Sequence, residues 1–306
     1  MREQTRSFIW KIKGRSYPLE AAPRWMGILN VTPDSFSDGG ELAVSADPQS
    51  PFRVDLDAAV RKALALIDAG TDILDIGGES TRPGSSPVPA REQILRTEPV
   101  IRQLASVTGV PISIDTTSAE VADRALAAGA SIVNDISGAL FDPEMAAVVR
   151  KNHAGICIGH IQGTPADMQR APDYQNAAGE VALFLRQRRE ELIGSGLEPE
   201  QIVIDPGIGF GKSTAHNLEI LSRLDLLREI DAPILIGISR KRFLDDLRAE
   251  GSLPDPPETT SNERDFWTAV VTKRLFEEGV SVFRVHDVGY HRMALADPNF
   301  PRHSLF

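Results

Sequence analysis

Asn30, Thr81, Arg82, Asp115, Asn134, His160, Asp205, Lys241, Arg284 and His286 are scattered over most of the chain, yet each stands at or just beyond the end of a short apolar run. A single Asp or Asn in such a place is usually the N-cap of the next helix, and Asp115, Asn134 or Asp205 taken alone reads that way. Capping does not explain Lys241, Arg284 and His286. Arg240, Lys241 and Arg242 stand in a row where a helix should begin. Each cation there opposes the helix dipole by about 0.3–1 kcal/mol, and Asp245 and Asp246 offset only part of that, so an anionic ligand is implied. Arg284 follows Val282-Phe283 within a strand. By alternation it points either into a barrel mouth or toward the helices, and if buried it needs a carboxylate or a ligand anion. Gly207, Gly209 and Gly211 ahead of Lys212 suggest backbone that approaches a ligand closely, without the Walker A spacing.

The elements that must position these groups follow from the apolar runs: Met26–Val31, Ile73–Ile76, Pro111–Ile114, Ser131–Val133, Gly155–Ile158, Ile202–Ile204, Pro233–Ile238 and Val282–Val285. Each is short and rich in Ile and Val, as a strand buried on both faces should be. Between them lie helix-like stretches at Leu56–Ala69, Glu92–Val107, Ala119–Ala128, Val181–Ile193, Leu218–Ile230 and Trp267–Glu278. Gly70, Gly129, Gly194 and Gly279 suit helix C-terminal caps. Eight strand–helix units predict an α/β fold, a (β/α)8 TIM barrel formed as one domain over residues 1–306. An open doubly wound sheet would carry a Gly-rich phosphate turn after its first strand, and the segment after Asn30 is not of that kind. Phe8–Lys11 and Ser16–Leu19 around Gly14 predict an N-terminal β-hairpin, within residues 1–23, that plugs the N-terminal mouth. In this fold ligands bind at the C-terminal ends of the strands, where all of the residues named first would meet.

Composition narrows the function classes. Lys plus Arg number 33 against 43 Asp plus Glu, a formal net charge of −10. So acidic a chain is expected to bind neither nucleic acid nor an anionic membrane surface. One cysteine, Cys157, rules out an internal disulfide and reads as a small core residue. Met1–Leu19 lacks the apolar core of a signal peptide, and no run approaches the ~18 apolar residues of a membrane span. A cytoplasmic enzyme is expected. No His pair at helical spacing and no Cys–His framework argues for zinc. The Asn30 amide oxygen, with phosphate oxygens and water, would suit Mg²⁺. His153, His216 and His291 read as caps or solvent-facing residues.

From about Arg24 onward the chain resembles the dihydropteroate synthase family of folate-pathway enzymes, which are pterin-binding barrels. The match runs through Met26–Gly40, Gly77-Gly-Glu-Ser-Thr-Arg-Pro-Gly84, Ile114-Asp-Thr-Thr117 and Asn134-Asp135. It continues through Asp205-Pro-Gly-Ile-Gly-Phe-Gly-Lys212, Ser239-Arg-Lys241 and Arg284-Val-His-Asp-Val288, all in the family's order. The resemblance implies condensation of a dihydropterin methyl diphosphate with p-aminobenzoate, releasing pyrophosphate. It implies that Asp115, Asn134, Asp205 and Lys241 bind the pterin and that Phe210 packs by the ring. Arg284 and His286 would meet the diphosphate, with Asn30, Thr81 and Arg82 closing over it and Asn30 ligating Mg²⁺. Phe36 and Pro83 would form much of the p-aminobenzoate pocket, and a homodimer is expected. A pterin-holding paralogue without catalysis and a barrel serving folate-dependent methyl transfer are the alternatives. Neither has a use for the complete diphosphate apparatus.

Several positions depart from the family pattern: Ser118-Ala119 after the Asp115 segment, Gly159 and Ile161 around His160, Arg242 after Lys241, and Ser261–Phe266. None removes an expected ligand of pterin or diphosphate, and the role of Arg242 is open. The Pro33–Ser37 loop carries no insertion beside Phe36, so sulfonamides, which mimic p-aminobenzoate, should inhibit product formation. Full activity at saturating sulfonamide would contradict that reading of the loop.

Overall fold

A computed structural model describes residues 8–19, 22–32, 54–257 and 262–301. Phe36, most of the Thr32–Gly40 loop and most of the Glu41–Val54 loop lie outside these residues. Strands β1 (Ile9–Ile12) and β2 (Arg15–Pro18) form an antiparallel hairpin. Lys13 and Gly14, at φ 49° and 72°, supply the left-handed turn that a two-residue hairpin loop requires. Eight strands then form one parallel sheet: β3 (Arg24–Asn30), β4 (Ile73–Gly77), β5 (Ile112–Asp115), β6 (Ile132–Asp135), β7 (Gly155–Gly159), β8 (Ile202–Asp205), β9 (Leu235–Ile236) and β10 (Val282–Val285). Their order is β8-β7-β6-β5-β4-β3-β10-β9, with every pair parallel. A parallel bridge from Ile204 to Ile234, with Ile204 N donating to Pro233 O at 3.0 Å, joins β8 to the stem of β9 and closes the ring. The fold is the (β/α)8 barrel expected, with the N-terminal hairpin.

The helices are α1 (Leu56–Asp68), α2 (Ala90–Val107), α3 (Ala119–Ala128), α4 (Met145–Lys151), α5 (Ala177–Gly194), α6 (Thr214–Ser222), α7 (Leu224–Arg228), α8 (Phe243–Ala249), α9 (Glu263–Glu277) and α10 (Val288–Ala296). The helix expected over Leu218–Ile230 is two, broken at Arg223. The strand expected over Pro233–Ile238 pairs regularly only at Leu235 and Ile236. Gly70, Gly129 and Gly279 take the positive φ of C-terminal caps. Gly194 is the last residue of α5, and Gly196, at φ 100°, makes that turn. His216 closes a capping box with Ser213 on α6, whereas His291 is fully buried rather than capping or solvent-facing.

Inside the barrel the two ends differ in chemistry. At the N-terminal end Trp10, Ile12 and Leu19 of the hairpin region pack on Met26, Ile73, Ile132, Cys157, Val203, Leu235 and Val282. Trp10 is fully enclosed, and its indole N–H donates to Gln201 O at 2.9 Å. A Cβ on Gly155 would lie 2.9 Å from that indole nitrogen, so the plug needs glycine there. Cys157 lies in this layer as expected, and burial pushes its thiol well up. The apolar plug seals one mouth and leaves the polar residues to the other. Among the described residues no helix is long and apolar enough to cross a membrane.

Candidate active site

Strand register sets which side chains meet inside the barrel. Asp115 pairs laterally with Asn134 and Gly77, and Gly77 pairs with Asn30. Asp205 pairs with Gly159 at the end of β7. One level deeper stand Asp75 and Arg284. Arg284 Nε donates to Asp75 Oδ2 at 2.6 Å, and its Nη2 donates to Asp115 Oδ2 at 2.7 Å. The alternation question is answered: Arg284 points inward and its partners are carboxylates. Burial works against its charge, but Asp75 and Asp115 outweigh burial and raise its pKa. Burial likewise pushes the Asp115 carboxyl upward while Arg284 pulls it back. Burial is the larger influence and holds the Asp115 carboxyl up at about 7, with Oδ2 accepting from Arg284 at 2.7 Å. A guanidinium has five N–H donors, so the contacts to Asp75 and Asp115 leave others for a ligand.

Asp75 is the site residue that sequence reasoning missed. It is fully buried and sits in the middle of the apolar run Ile73–Gly77. A charge in a strand enclosed on both faces was itself the available signal. Asp75 also accepts from Asn134 Nδ2 at 3.2 Å, which turns the Asn134 amide oxygen to other donors.

The Asp115, Asn134 and Asp205 side chains are not helix caps. Ser118 caps α3 and Ser213 caps α6. Asp205 Oδ1 accepts Gly207 N at 2.7 Å. Burial pushes its pKa up, opposed chiefly by Lys241. Asp135 does behave as a local staple, accepting from Ser137 N at 2.7 Å and Ser137 Oγ at 2.6 Å. The three consecutive cations have three different settings. Arg240 is held by Asp265 through a fork, Nε to Oδ1 at 2.9 Å and Nη2 to Oδ2 at 2.8 Å. Lys241 donates to Ile208 O and stands 4.3 Å from the Phe210 ring centroid. Arg242 is exposed on the rim. Burial pushes Lys241 down to about 8, with Asp205 resisting the fall.

His286 Nδ1 lies 2.9 Å from Ser239 Oγ, which also accepts His286 N at 3.2 Å. With the Ser239 hydroxyl assigned as the donor to Nδ1, the ring proton is on Nε2. Burial, then Arg240, Arg284 and Arg82, push His286 down to about 3, so it is a neutral donor at neutral pH. Asn30, half-buried, ends β3. Thr81, Arg82 and Pro83 lie on the loop after β4, which is tied to the β7–α5 loop by Gly84 N donating to Pro165 O at 2.9 Å.

Asn30, Thr81, Arg82, Pro83, Asp115, Asn134, Asp205, Phe210, Ser239, Arg240, Lys241, Arg242, Arg284 and His286 line one cleft of about 1530 Å³ at the C-terminal mouth. Pockets for one small ligand are roughly 300–1000 Å³, so two ligands fit side by side. His160 is not on that wall. It packs edge-on to Phe184, with ring centroids 4.8 Å apart, and contacts Lys212. Asp205 faces Lys241, Asp115 and Asp75 engage Arg284, and the charges acting on His286 are those of Arg240, Arg284 and Arg82. The cleft can hold a polar ring at one end and an anion at the other.

Residues 26–286 match the model of the pterin-binding enzyme family. The dihydropteroate synthase of Synechocystis sp. is 43% identical over 263 residues, spanning 86% of this chain and 84% of that protein. The dihydropteroate synthase of Xanthomonas albilineans, solved with 4-aminobenzoic acid, superposes with a TM-score of 0.81 at 37% identity, covering 95% of this chain and 97% of the other. A second structure of the enzyme from that organism, in complex with 7,8-dihydropteroate, gives 0.74 at 33% identity over 94% and 96% of the two chains.

Asp75→Asn keeps the volume and removes one of the two charges that hold Arg284. Breaking a buried ion pair from one side costs about 3 kcal/mol or more, and urea unfolding should register that loss. A loss below about 0.5 kcal/mol would mean that Asp115 alone suffices.

Proposed function

The chain belongs to the pterin-binding enzyme family, and from that membership together with the polarity of the mouth we infer how its residues divide the work of the dihydropteroate synthase reaction. The enzyme is a transferase of folate biosynthesis. It condenses (7,8-dihydropterin-6-yl)methyl diphosphate with p-aminobenzoate to 7,8-dihydropteroate and pyrophosphate. The observation that carries the division of work is that one cleft gathers Asp205, Asn134 and Asp115 with Lys241, and brings the charges of Arg82, Arg240 and Arg284 to bear on His286.

The pterin's aminopyrimidine edge presents N–H donors. Asp205, with one oxygen on Gly207 N, has the other for that edge, and the Asn134 oxygen and Asp115 are further acceptors. Lys241 donates to the ring's acceptor atoms, exchanging its contact with Ile208 O for them. Phe210 packs by the ring. At the other end the leaving diphosphate gathers charge as the C–O bond breaks. Arg284 and Arg82 stabilise that charge, and neutral His286 donates Nε2–H to it. Such preorganised donors are usually the largest contribution an active site makes. Arg284 touches both halves of the problem, since it holds Asp115 and lines the diphosphate end. C–O cleavage runs ahead of attack and leaves a cationic pterin methylene, which the arylamine captures; a neutral arylamine needs no strong base. The Ser80–Gly84 loop, with Thr81 and Pro83, covers the reacting centre and keeps water from competing. Phe36 is assigned to the p-aminobenzoate pocket on the resemblance.

For Mg²⁺ the donor set fits. Among the described residues no three His, Cys, Asp or Glu side chains gather as a metal site. One amide oxygen, from Asn30, is what a magnesium ion needs if its other ligands are diphosphate oxygens and water. When bound there, the ion supplies Lewis-acid charge to those oxygens. The homodimer, the cytoplasmic location and the single-domain organisation are carried by the sequence reading and the resemblance.

Purified protein given both substrates and Mg²⁺ should release pyrophosphate and pteroate in equal amounts, and neither when p-aminobenzoate is omitted. Pterin binding without turnover would refute the assignment. Lys241 is cationic below about pH 8 and neutral above it. The kcat/KM for the pterin substrate should therefore fall as pH rises through that value. Lys241→Arg, charged throughout, should move the alkaline limb upward, and an unmoved limb would assign it to another group.

A further inference from the structure

Lys212 is the charged residue that the reaction as described leaves without a task. The sequence suggested a cation beside a Gly-rich ligand loop. The side chain instead turns inward and is 2% exposed. Its Nζ lies 2.9 Å from Gly207 O, 3.0 Å from Phe210 O, 3.1 Å from His160 O and 2.9 Å from His160 Nδ1. Three of these partners are carbonyl oxygens, which only accept. Burial pushes the Lys212 pKa well below its ordinary value and Asp205 resists the fall; an ammonium, with three N–H bonds, matches the three carbonyl oxygens, where a neutral amine has only two to offer them. The His160 Nδ1 contact then shares one of those three N–H bonds, the imidazole presenting its lone pair there. Burial first, then the Lys212 charge, push His160 down to about 3, in agreement.

The glycines of this segment answer to the same packing. A Cβ on Gly207, at φ 65°, would lie 1.9 Å from His160 O, and one on Gly211, at φ 63°, would lie 2.3 Å from Gln162 O. The turn after β8 is thus pressed against the loop after β7, and the ammonium is the staple between them. Residues of the turn also serve the ligand cleft. Gly207 N donates to Asp205, Ile208 O accepts from Lys241, and the Phe210 ring lies beneath the Lys241 ammonium.

We propose that Lys212 is a positioning residue for the pterin end of the site: its ammonium, enclosed by three carbonyl oxygens and the His160 imidazole, holds the Asp205–Lys212 turn in the form that presents Asp205, Phe210 and Lys241 to the ring. The proposal rests on the dihydropteroate synthase reading for its substrate. A corollary is chemical. Oxygens at this spacing around one point are the ligand set of a small monovalent cation, so a shortened side chain leaves a site that free ammonium can refill.

The test is Lys212→Ala with wild type as control. The KM for the pterin diphosphate should rise about tenfold or more, with the KM for p-aminobenzoate changed less than about twofold. Ammonium chloride should recover much of the loss, whereas the same concentration of tetramethylammonium chloride, too large for the cavity, should not. A parallel loss for both substrates, or a loss that ammonium leaves untouched, overturns the proposal. If Lys212→Ala does not fold, His160→Leu against His160→Gln decides. Leu removes one acceptor from the ammonium and should raise the pterin KM severalfold, and Gln should restore most of it. Equal pterin KM values for Leu and wild type overturn the proposal. Inactive wild type would refute the reaction assignment instead, so the two failures are distinguishable.

Discussion

A guanidinium enclosed by protein is stable only when carboxylates or a bound anion compensate it, and that requirement organises the upper half of this barrel. Arg284 comes from β10, Asp75 from β4 and Asp115 from β5, so one cluster of charge crosses the interior. The contacts join residues 209 and 169 positions apart. They form across β10, β3, β4 and β5, successive neighbours in the sheet, and they in turn favour the register that places Asp115 beside Asn134 and Asn30 beside Gly77. The opposite end meets the complementary demand. With the hairpin's Trp10 and Ile12 filling it, the lower barrel is packed with apolar side chains, and the polar groups stand at the other mouth.

The arrangement sorts charge along the cleft. Acceptors dominate near Lys241 and net positive charge dominates near His286. The substrate of the family reaction carries the same division, donors on a ring and negative charge on a leaving group. Each end is prepared by a neighbour rather than by the liganding residue alone. Asp75 contacts both Asn134 and Arg284, Ser239 engages His286 Nδ1, and Asp265 holds Arg240 in a fork. Such preorganisation is what allows fixed dipoles to stabilise charge without rearranging during the reaction.

Buried lysine appears twice in this site with opposite uses. Lys241 has one carbonyl partner and an aromatic face, contacts that a ligand can replace. Lys212 is saturated by protein acceptors and has nothing left to offer a ligand. The difference is one of coordination rather than residue type. It explains why a Gly-rich segment ending in lysine is a poor guide, by itself, to anion binding.

Much of this was legible in the chain. The period of the apolar runs determined the strands and their number, because a strand covered on both faces must be apolar along its whole length. The residues at the ends of those runs determined the candidate site, because the C-terminal mouth is the place in a barrel where polar groups reach solvent and ligand together. Local sequence was weaker where local signals mislead. The helix break at Arg223 and the two-residue β9 depend on packing that no window of residues contains. Only the tertiary structure decided the pairings: that Asp75 is a site residue, that Arg284 points inward, that Arg240 and Lys212 are occupied while Lys241 can be released. The physical reason is that a charge is defined by its partners, and these partners lie tens to hundreds of residues away, brought within 3 Å only by the packing of strands and helices.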